Sequence, residues 1–117
     1  MIRRQEQVEA QAFEQCHEGV GTLLCRSMLM DGDSQYGVMF FHHDHIPAGV
    51  SIGEHLHQGS EEIYYLLSGN CTLWYDGRSI PMKSGDFSIV QDGHTHGIVN
   101  SGDCTAELIV VGIKARS

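Results

Sequence analysis

Turn-forming residues recur along this chain about every eight to twelve residues and separate short apolar runs. Examples of these turns lie at residues 68–70, 76–77 and 92–93. Together with 14 glycines, such spacing is typical of an all-β sandwich or barrel and leaves little of the chain for helices. The predicted strands cover residues 22–30, 36–43, 50–57, 62–67, 72–75, 78–81, 87–90, 97–100 and 106–111.

The clearest hairpin joins the strands 72–75 and 78–81 through Asp76-Gly77. Asp-Gly readily adopts the positive φ angles of a type I′ turn, which matches the twist of the flanking strands. Residues 8–13 carry few apolar side chains at helical spacing, so they form either a turn or two of helix or an extended arm. We therefore expect an N-terminal arm over residues 1–20 and one β-barrel domain over residues 21–117.

The charge balance argues against several classes of partner. The formal net charge is −8, the pI is near 5.3 and only seven residues are Lys or Arg. Nucleic acids and anionic membranes both favour clustered basic residues, so we expect neither as a partner. No apolar run approaches the roughly 20 residues that a membrane span needs, and the first residues lack the apolar stretch of a secretory signal. We expect a cytoplasmic protein whose four cysteines are free thiols, because none of their spacings is C-x-x-C.

Two stretches carry histidines and glutamates in a spacing that suits a metal site. The first, residues 49–69, contains His55, His57 and two adjacent glutamates, and the second, residues 85–100, contains His96. His-x-His on a strand places both imidazoles on one face, because strand side chains alternate with a period of two. Three imidazoles and one carboxylate suit a divalent first-row metal and leave coordination positions for water or substrate.

Both stretches resemble the two signature motifs of the cupin superfamily. The first motif is matched at each of its fixed positions by Gly49, His55, His57, Glu62 and Gly69. The second is matched by Gly85, Gly93, His96 and Asn100, while Gln91 stands where the family usually has proline. The resemblance implies a single double-stranded β-helix, the cupin jelly-roll barrel, that holds one divalent transition metal ion per chain (Fe, Mn, Ni, Co, Cu or Zn). Cupins share this barrel but perform different reactions, so the motifs do not imply one reaction.

The resemblance also implies a ligand set, which consists of His55, His57, Glu62 and His96. Glu61 competes with Glu62, because the family allows either offset, but the step to Gly69 fits Glu62 only. On a strand, the phase of Glu62 puts Tyr64 and Leu66 on the pocket side as well.

Two further residues are candidate catalytic groups. The hydroxyl of Tyr64 is placed to donate a proton to a metal-bound anion. His94 shares the strand parity of His96, so it either lines the pocket as a proton shuttle or sits in the turn.

The remaining histidines are less constrained by the pattern. His42, His43 and His45 form a polar strand end, or one of them reaches the barrel mouth as an acid or base. His17 has no partner in view and is expected at the surface.

The predicted function is that of a metal-dependent enzyme acting on a small polar organic substrate. Resemblance to cupins admits dioxygenases, decarboxylases, and isomerases of sugars or uronic acids. The alternative is a non-catalytic module that binds a small molecule; a chain of this length has no room for a separate output domain, which favours the enzyme. A purely structural site is least favoured, because such sites usually close their coordination with tetrahedral N and S ligands.

A homodimer is the expected assembly. An open barrel leaves edge strands that need cover, and residues 6–13 could supply it by pairing with a second subunit. Small cupins of the kind this chain resembles are commonly dimers.

Overall fold

A computed structural model describes residues 1–115, most of them in strands and turns. In this part of the chain the strands are β1 (Gln11–Glu14), β2 (Thr22–Ser27), β3 (Val38–Ile46), β4 (Ser51–Leu56), β5 (Ser60–Ser68), β6 (Asn70–Tyr75), β7 (Arg78–Lys83), β8 (Phe87–Val90), β9 (Thr95–Asn100) and β10 (Ala106–Lys114). Short 3-10 turns at Gln5–Gln7 and Cys16–Glu18 are the helical elements of the same residues. No helix within residues 1–115 is long and apolar enough to cross a membrane.

The strands form two antiparallel sheets that enclose one core. The larger sheet has the order β1-β2-β3-β10-β5-β8, and the smaller has the order β4-β9-β6-β7. The core lies between them and includes Leu23, Ile46, Leu66, Ile98 and Leu108, each with at most 2% of its surface exposed. The predicted all-β jelly-roll barrel is confirmed.

All nine predicted strands are present, and the structure adds one more. The additional strand, β1, is exposed at each of its four residues, so it carries no alternation of polar and apolar side chains that a pattern could reveal. It pairs with β2 of the same chain and forms one edge of the larger sheet. The segment predicted as a helical turn or an arm therefore contributes an edge strand.

The Asp-Gly hairpin has the predicted turn. Asp76 and Gly77 have φ angles of 49° and 80°, and Tyr75 pairs directly with Arg78 across the turn. Positive φ at both central residues is the mark of a type I′ turn. The turn fixes the register of β6 and β7, and β6 in turn pairs with β9, which carries His96.

Candidate metal centre

Four side chains from three neighbouring parts of the barrel meet at one point inside it. His55 lies on β4 and His57 directly after that strand, while Glu62 lies on β5 and His96 on β9. One donor atom of each residue lies within 4.8 Å of the others, so the group is able to hold a metal ion. We call these four residues the inner cluster.

The measured separations suit one ion. Nε2 of His96 is 3.1 Å from Nε2 of His57 and 3.1 Å from Oε1 of Glu62. Oε1 of Glu62 lies 3.8 Å from Nε2 of His55. Two donors that bind the same ion at about 2.1 Å cannot be more than about 4.2 Å apart, and these pairs meet that limit.

A β-bulge in β4 turns His55 and His57 into the barrel. Ile52 pairs with Ile98 and His55 pairs with His96, so β4 has one residue more than β9 between these two pairs. Without that extra residue, the alternation that buries Ile52 would turn His55 outward. The period of two correctly places both histidines on one face, but the bulge decides which face that is.

Gly53 at this bulge allows the N-terminal part of the chain to come close. A Cβ atom there would lie 2.1 Å from the carbonyl oxygen of His17 and 3.0 Å from the amide nitrogen of Gly19. This approach stacks the ring of His17 on that of His55, with centroids 3.7 Å apart and 12° between the planes. His17, for which the sequence indicated no partner, therefore contacts a member of the inner cluster.

Hydrogen bonds on the outer side of the rings orient two of the imidazoles. Nδ1 of His55 lies 2.8 Å from the carbonyl oxygen of Gly53, which can only accept, so Nδ1 carries the proton. Nε2 of His55 therefore keeps its lone pair, and it is buried with no hydrogen-bond partner among the described residues. Nδ1 of His57 lies 3.2 Å from Oγ of Ser60, which leaves its Nε2 facing the cluster. Such contacts orient imidazoles that bind metals, and the donor set fits a divalent ion.

The electrostatics of the cluster favour a cation. Burial alone would raise the pKa of Glu62, but interactions with His55 and His96 lower it to about 2, so the carboxylate is ionised at neutral pH. Burial lowers the pKa of His57 and of His96. Burial also opposes the charged form of His55, but Glu62 and the Gly53 carbonyl outweigh it and raise that pKa. An ionised carboxylate among mostly neutral imidazoles is the state in which these groups bind metal ions.

The inner cluster borders a cavity of about 280 Å³. Its walls are Cys16, His17, Phe40, His42, Asp44, Ile52, His57, Glu62 and Val110. This volume is slightly below the range of about 300–1,000 Å³ typical of pockets for drug-sized ligands, so it suits a smaller molecule. A larger hollow of about 440 Å³ lies along residues 70–72 and 81–83 and contains no member of the cluster, so we assign the chemistry to the smaller cavity.

The alternation of β3 divides its histidines between two faces. His42 lines the cavity, whereas His43 and His45 lie on the outer face of the sheet. There Nε2 of His43 and of His45 lie 2.9 and 3.3 Å from Oε1 of Glu107 on β10. We call His43, His45 and Glu107 the outer cluster. The structure therefore places His42 at the cavity and leaves His43 and His45 on the outer face of the sheet.

Tyr64 lies behind the inner cluster rather than in the cavity wall. Its ring stacks on that of His96, with centroids 4.2 Å apart and 10° between the planes, and its side chain is fully buried. Burial raises the pKa of Tyr64 well above its ordinary value, so the hydroxyl keeps its proton. That hydroxyl has no hydrogen-bond partner among residues 1–115.

His94 and Glu61 lie outside the inner cluster. Nδ1 of His94 is 2.6 Å from Oδ2 of Asp76 in the hairpin turn, at the surface of the barrel. The carbonyl oxygen of His94 accepts a hydrogen bond from the backbone of His57, so the His94 backbone helps to hold a cluster residue. Glu61 points to a different surface hollow that it shares with Asp92.

Asp44 is a charged residue of the cavity wall for which the sequence indicated no role. It lies on β3 two positions after His42, which puts both side chains on the inward face. Only 4% of Asp44 is exposed, and its Oδ1 has no hydrogen-bond partner within the described part of the chain. Burial raises the pKa of Asp44 to about 6. In the sequence, only the spacing of two residues from His42 on the same strand indicated that Asp44 faces inward; no motif includes it.

Comparisons of sequence and of structure find proteins that are similar to this chain. The oxalate-binding protein of Thermotoga maritima is 28% identical over 111 residues, which cover 95% of this chain and 92% of that protein. A crystal structure from the same organism, described as a predicted oxalate decarboxylase, superposes with a TM-score of 0.93 at 28% identity and covers 97% of this chain and 99% of that one. The quercetin 2,3-dioxygenase of Bacillus subtilis is 38% identical over 50 residues, which make up 43% of this chain and 15% of that enzyme.

The family assignment rests on a match to most of the barrel. The family model described as the cupin domain matches residues 42–112, which is more than half of the chain. That range runs from β3 to β10 and contains all four residues of the inner cluster. With the two-sheet barrel and the converging histidines, this match shows that the chain belongs to the cupin family.

Proposed function

We propose that this cupin binds one divalent transition metal ion through His55, His57, Glu62 and His96 and acts enzymatically on a small polar organic molecule in the adjoining cavity. The observation that supports this most is the buried Nε2 of His55, which has no hydrogen-bond partner among residues 1–115 and faces the other three donors. A bound Fe, Mn, Ni, Co, Cu or Zn ion would supply Lewis-acid chemistry or, for a redox-active metal, oxygen chemistry.

The cavity gives this proposal its ligand size and polarity. Glu62 and His57 belong both to the inner cluster and to the cavity wall, so a molecule in the cavity would lie beside the donors. His17, His42 and Asp44 add polar groups to the same wall, while Cys16, Phe40, Ile52 and Val110 add apolar surface. A few polar groups in a mostly apolar pocket orient a small ligand.

The proposed reaction belongs to the classes that the resemblance to cupins admits. We favour dioxygenase chemistry or the isomerisation of a sugar or uronic acid. Similarity to quercetin 2,3-dioxygenase supports the first choice, although the matched segment is only 15% of that enzyme. Consumption of oxygen by the metal-loaded protein in the presence of substrate would separate these two classes.

Two residues keep proposed roles beside the metal ligands. We propose that the hydroxyl of Tyr64 holds a proton near His96, since it is buried and has no hydrogen-bond partner in the described part of the chain. We propose His94, paired with Asp76, as a proton shuttle at the barrel surface. Tyr64→Phe and His94→Gln each remove one proton donor, so either variant should slow turnover while metal content stays unchanged.

Ligand binding without turnover is the second candidate function. It is favoured by one relative, the oxalate-binding protein of Thermotoga maritima, whose similarity covers 95% of this chain. Binding alone would require the same metal and the same cavity. A screen of keto acids, uronates, enols and thiols decides between the two candidates: metal-dependent turnover that His96→Ala abolishes supports the enzyme, and saturable binding of a ligand that is recovered unchanged supports the binding module.

We also propose that the protein is a cytoplasmic homodimer in which an N-terminal arm, residues 1–20, adds its strand β1 to the larger sheet of the barrel domain, residues 21–117. The outward face of the larger sheet leaves apolar side chains uncovered, among them Phe41, Tyr65, Leu67 and Phe87, which are 37–60% exposed. Large exposed apolar patches mark interfaces between proteins. All four cysteines are free, which suits a reducing compartment.

Light scattering at micromolar concentration should give twice the mass of one chain, and a single-chain mass would contradict the dimer.

A further inference from the structure

We propose that Asp44 selects the ligand of the cavity: it accepts a hydrogen bond from a hydroxyl group, and its carboxylate disfavours dicarboxylates, so the preferred ligand is a small hydroxylated molecule with at most one negative charge. The inference rests on the proposed metal-dependent function and names the ligand class of the same site.

The position of Asp44 supports a role in binding. It lies on the inward face of β3, lines the same cavity as Glu62 and His57, and is 96% buried. Its cross-strand neighbour on β2 is Cys25, whose thiol interacts with the carboxyl group. Despite that contact, Oδ1 of Asp44 has no hydrogen-bond partner among residues 1–115.

An unpartnered buried oxygen requires an explanation. Most buried polar atoms in proteins have a hydrogen-bond partner, because a buried group that has lost its contact with water is destabilising unless it is paired. Oδ1 of Asp44 can accept a hydrogen bond, and the cavity beside it has room for the group that would donate one. A ligand hydroxyl supplies that donor, whereas the carboxylate of a dianion carries only acceptors.

The charges in the cavity point to the same ligand class. Among its lining residues there are two carboxyl groups, Asp44 and Glu62, and no Lys or Arg. With a divalent ion in place, the ion and the carboxylates together carry a charge between zero and plus one, depending on the proton of Asp44. A singly charged or neutral ligand leaves the site near neutrality, whereas a dicarboxylate would leave an uncompensated buried negative charge.

A pair of two-carbon probes isolates this effect. Glycolate has one carboxylate and one hydroxyl, whereas oxalate has two carboxylates, so the two differ in charge and in hydrogen-bond donors but little in size. Isothermal titration of each into the metal-loaded protein gives the ratio of the two dissociation constants. The comparison uses wild type, Asp44→Asn and the control Glu61→Gln, which removes a carboxylate outside the cavity.

We expect wild type to bind glycolate more tightly than oxalate. Asp44→Asn removes the charge at nearly constant shape, so it should shift the ratio toward oxalate by about tenfold or more, and Glu61→Gln should leave the ratio unchanged. Metal content and circular dichroism of each variant verify folding; if Asp44→Asn does not fold, Asp44→Ser replaces it, and the wild-type preference is a test by itself.

Four results would overturn the inference. Tighter binding of oxalate by wild type would show that the cavity accepts dianions, and an unchanged ratio in Asp44→Asn would show that Asp44 does not select; both leave the proposed metal-dependent binding intact. Binding of neither probe by protein that carries its full metal content would overturn the proposed ligand class at this site. Equal binding of both probes with and without the metal would overturn the proposed function as well.

Discussion

The inner and outer clusters use the same residue types on opposite faces of the barrel wall. Both combine histidines with one glutamate, and in both the donor atoms lie within 4.8 Å of one another. In the outer cluster Glu107 already satisfies both histidines and also accepts a hydrogen bond from Ser68. In the inner cluster Nε2 of His55 is buried, faces three other donors and has no hydrogen-bond partner among residues 1–115.

Burial separates the two clusters further. The side chains of His96 and Glu62 are 0% and 8% exposed, whereas Glu107 is 38% exposed. An exposed ion pair is hydrated and needs no further partner, but buried donors that converge on one another are stable only with a cation or protons between them. Proximity of metal-binding residue types is therefore weak evidence for a metal site. Buried donor atoms that lack hydrogen-bond partners are stronger evidence.

Loss of an inner histidine should have the largest effect. We expect His55→Ala and His96→Ala to abolish the binding of one metal ion per chain, because each removes a donor from a buried site. The matched substitutions His43→Ala and His45→Ala in the outer cluster should leave metal content unchanged. Elemental analysis of the purified variants measures this directly. Full metal content in either inner variant would refute the ligand assignment.

The choice between the adjacent glutamates should have the next largest effect. Glu62→Gln keeps the shape of the side chain but removes the charge, so metal affinity should fall by about 100-fold or more. Glu61→Gln should change affinity little, because Glu61 points to a different hollow. Competition with a chelator of known affinity gives both values, and the reverse order would mean that the other acid is the ligand.

The parts of this molecule that follow local rules were predictable. Asp76-Gly77 predicts its own turn, and period-two alternation placed Glu62, Tyr64 and Leu66 on the buried side of β5, where the structure has them. The four members of the inner cluster were implied by the resemblance of the two stretches to the cupin motifs, and the structure brings them together.

The unpredicted parts depend on contacts between distant segments. Gly53 at the bulge lies against the His17 carbonyl, a contact between residues that are far apart in the sequence. Stacking of His17 on His55 follows from that approach. β1 has no buried face and therefore no pattern. Asp44 stands out because it is buried and its Oδ1 has no hydrogen-bond partner among the described residues. Neither property can be read from a single sequence.

Disruption of the bulge should have a smaller effect on metal binding than loss of a ligand. Gly53→Ala places a Cβ atom against the backbone of His17, so we expect a loss of about 2–4 kcal/mol in the free energy of unfolding and about tenfold weaker metal binding. Gly37→Ala, whose nearest new contact would be 3.3 Å away, is the control and should cost less. Urea unfolding and metal titration report the two effects, and an unaltered affinity in folded Gly53→Ala protein would show that the bulge does not position His55.

The outer cluster should produce the smallest effect, and it should depend on pH. The hydrogen bond with His43 lowers the pKa of Glu107 below its ordinary value of 4.5. The folded state therefore binds fewer protons than the unfolded state, so this stabilisation is complete above pH 4.5 and is lost as the pH falls through the lowered pKa. Above pH 4.5, Glu107→Gln should lower the free energy of unfolding by less than about 1 kcal/mol. The effect is small because the pair is partly exposed. Urea unfolding between about pH 3 and 6 measures the difference, and parallel curves for wild type and variant would contradict the assignment.

Anomalous diffraction tests the distinction between the clusters most directly. Crystals of the protein with the metal that copurifies with it, measured on both sides of the absorption edge of that metal, should show one strong peak about 2.0–2.3 Å from Nε2 of His55, His57 and His96 and from an oxygen of Glu62. A peak at His43, His45 and Glu107 instead, or no peak within the barrel, would contradict the account.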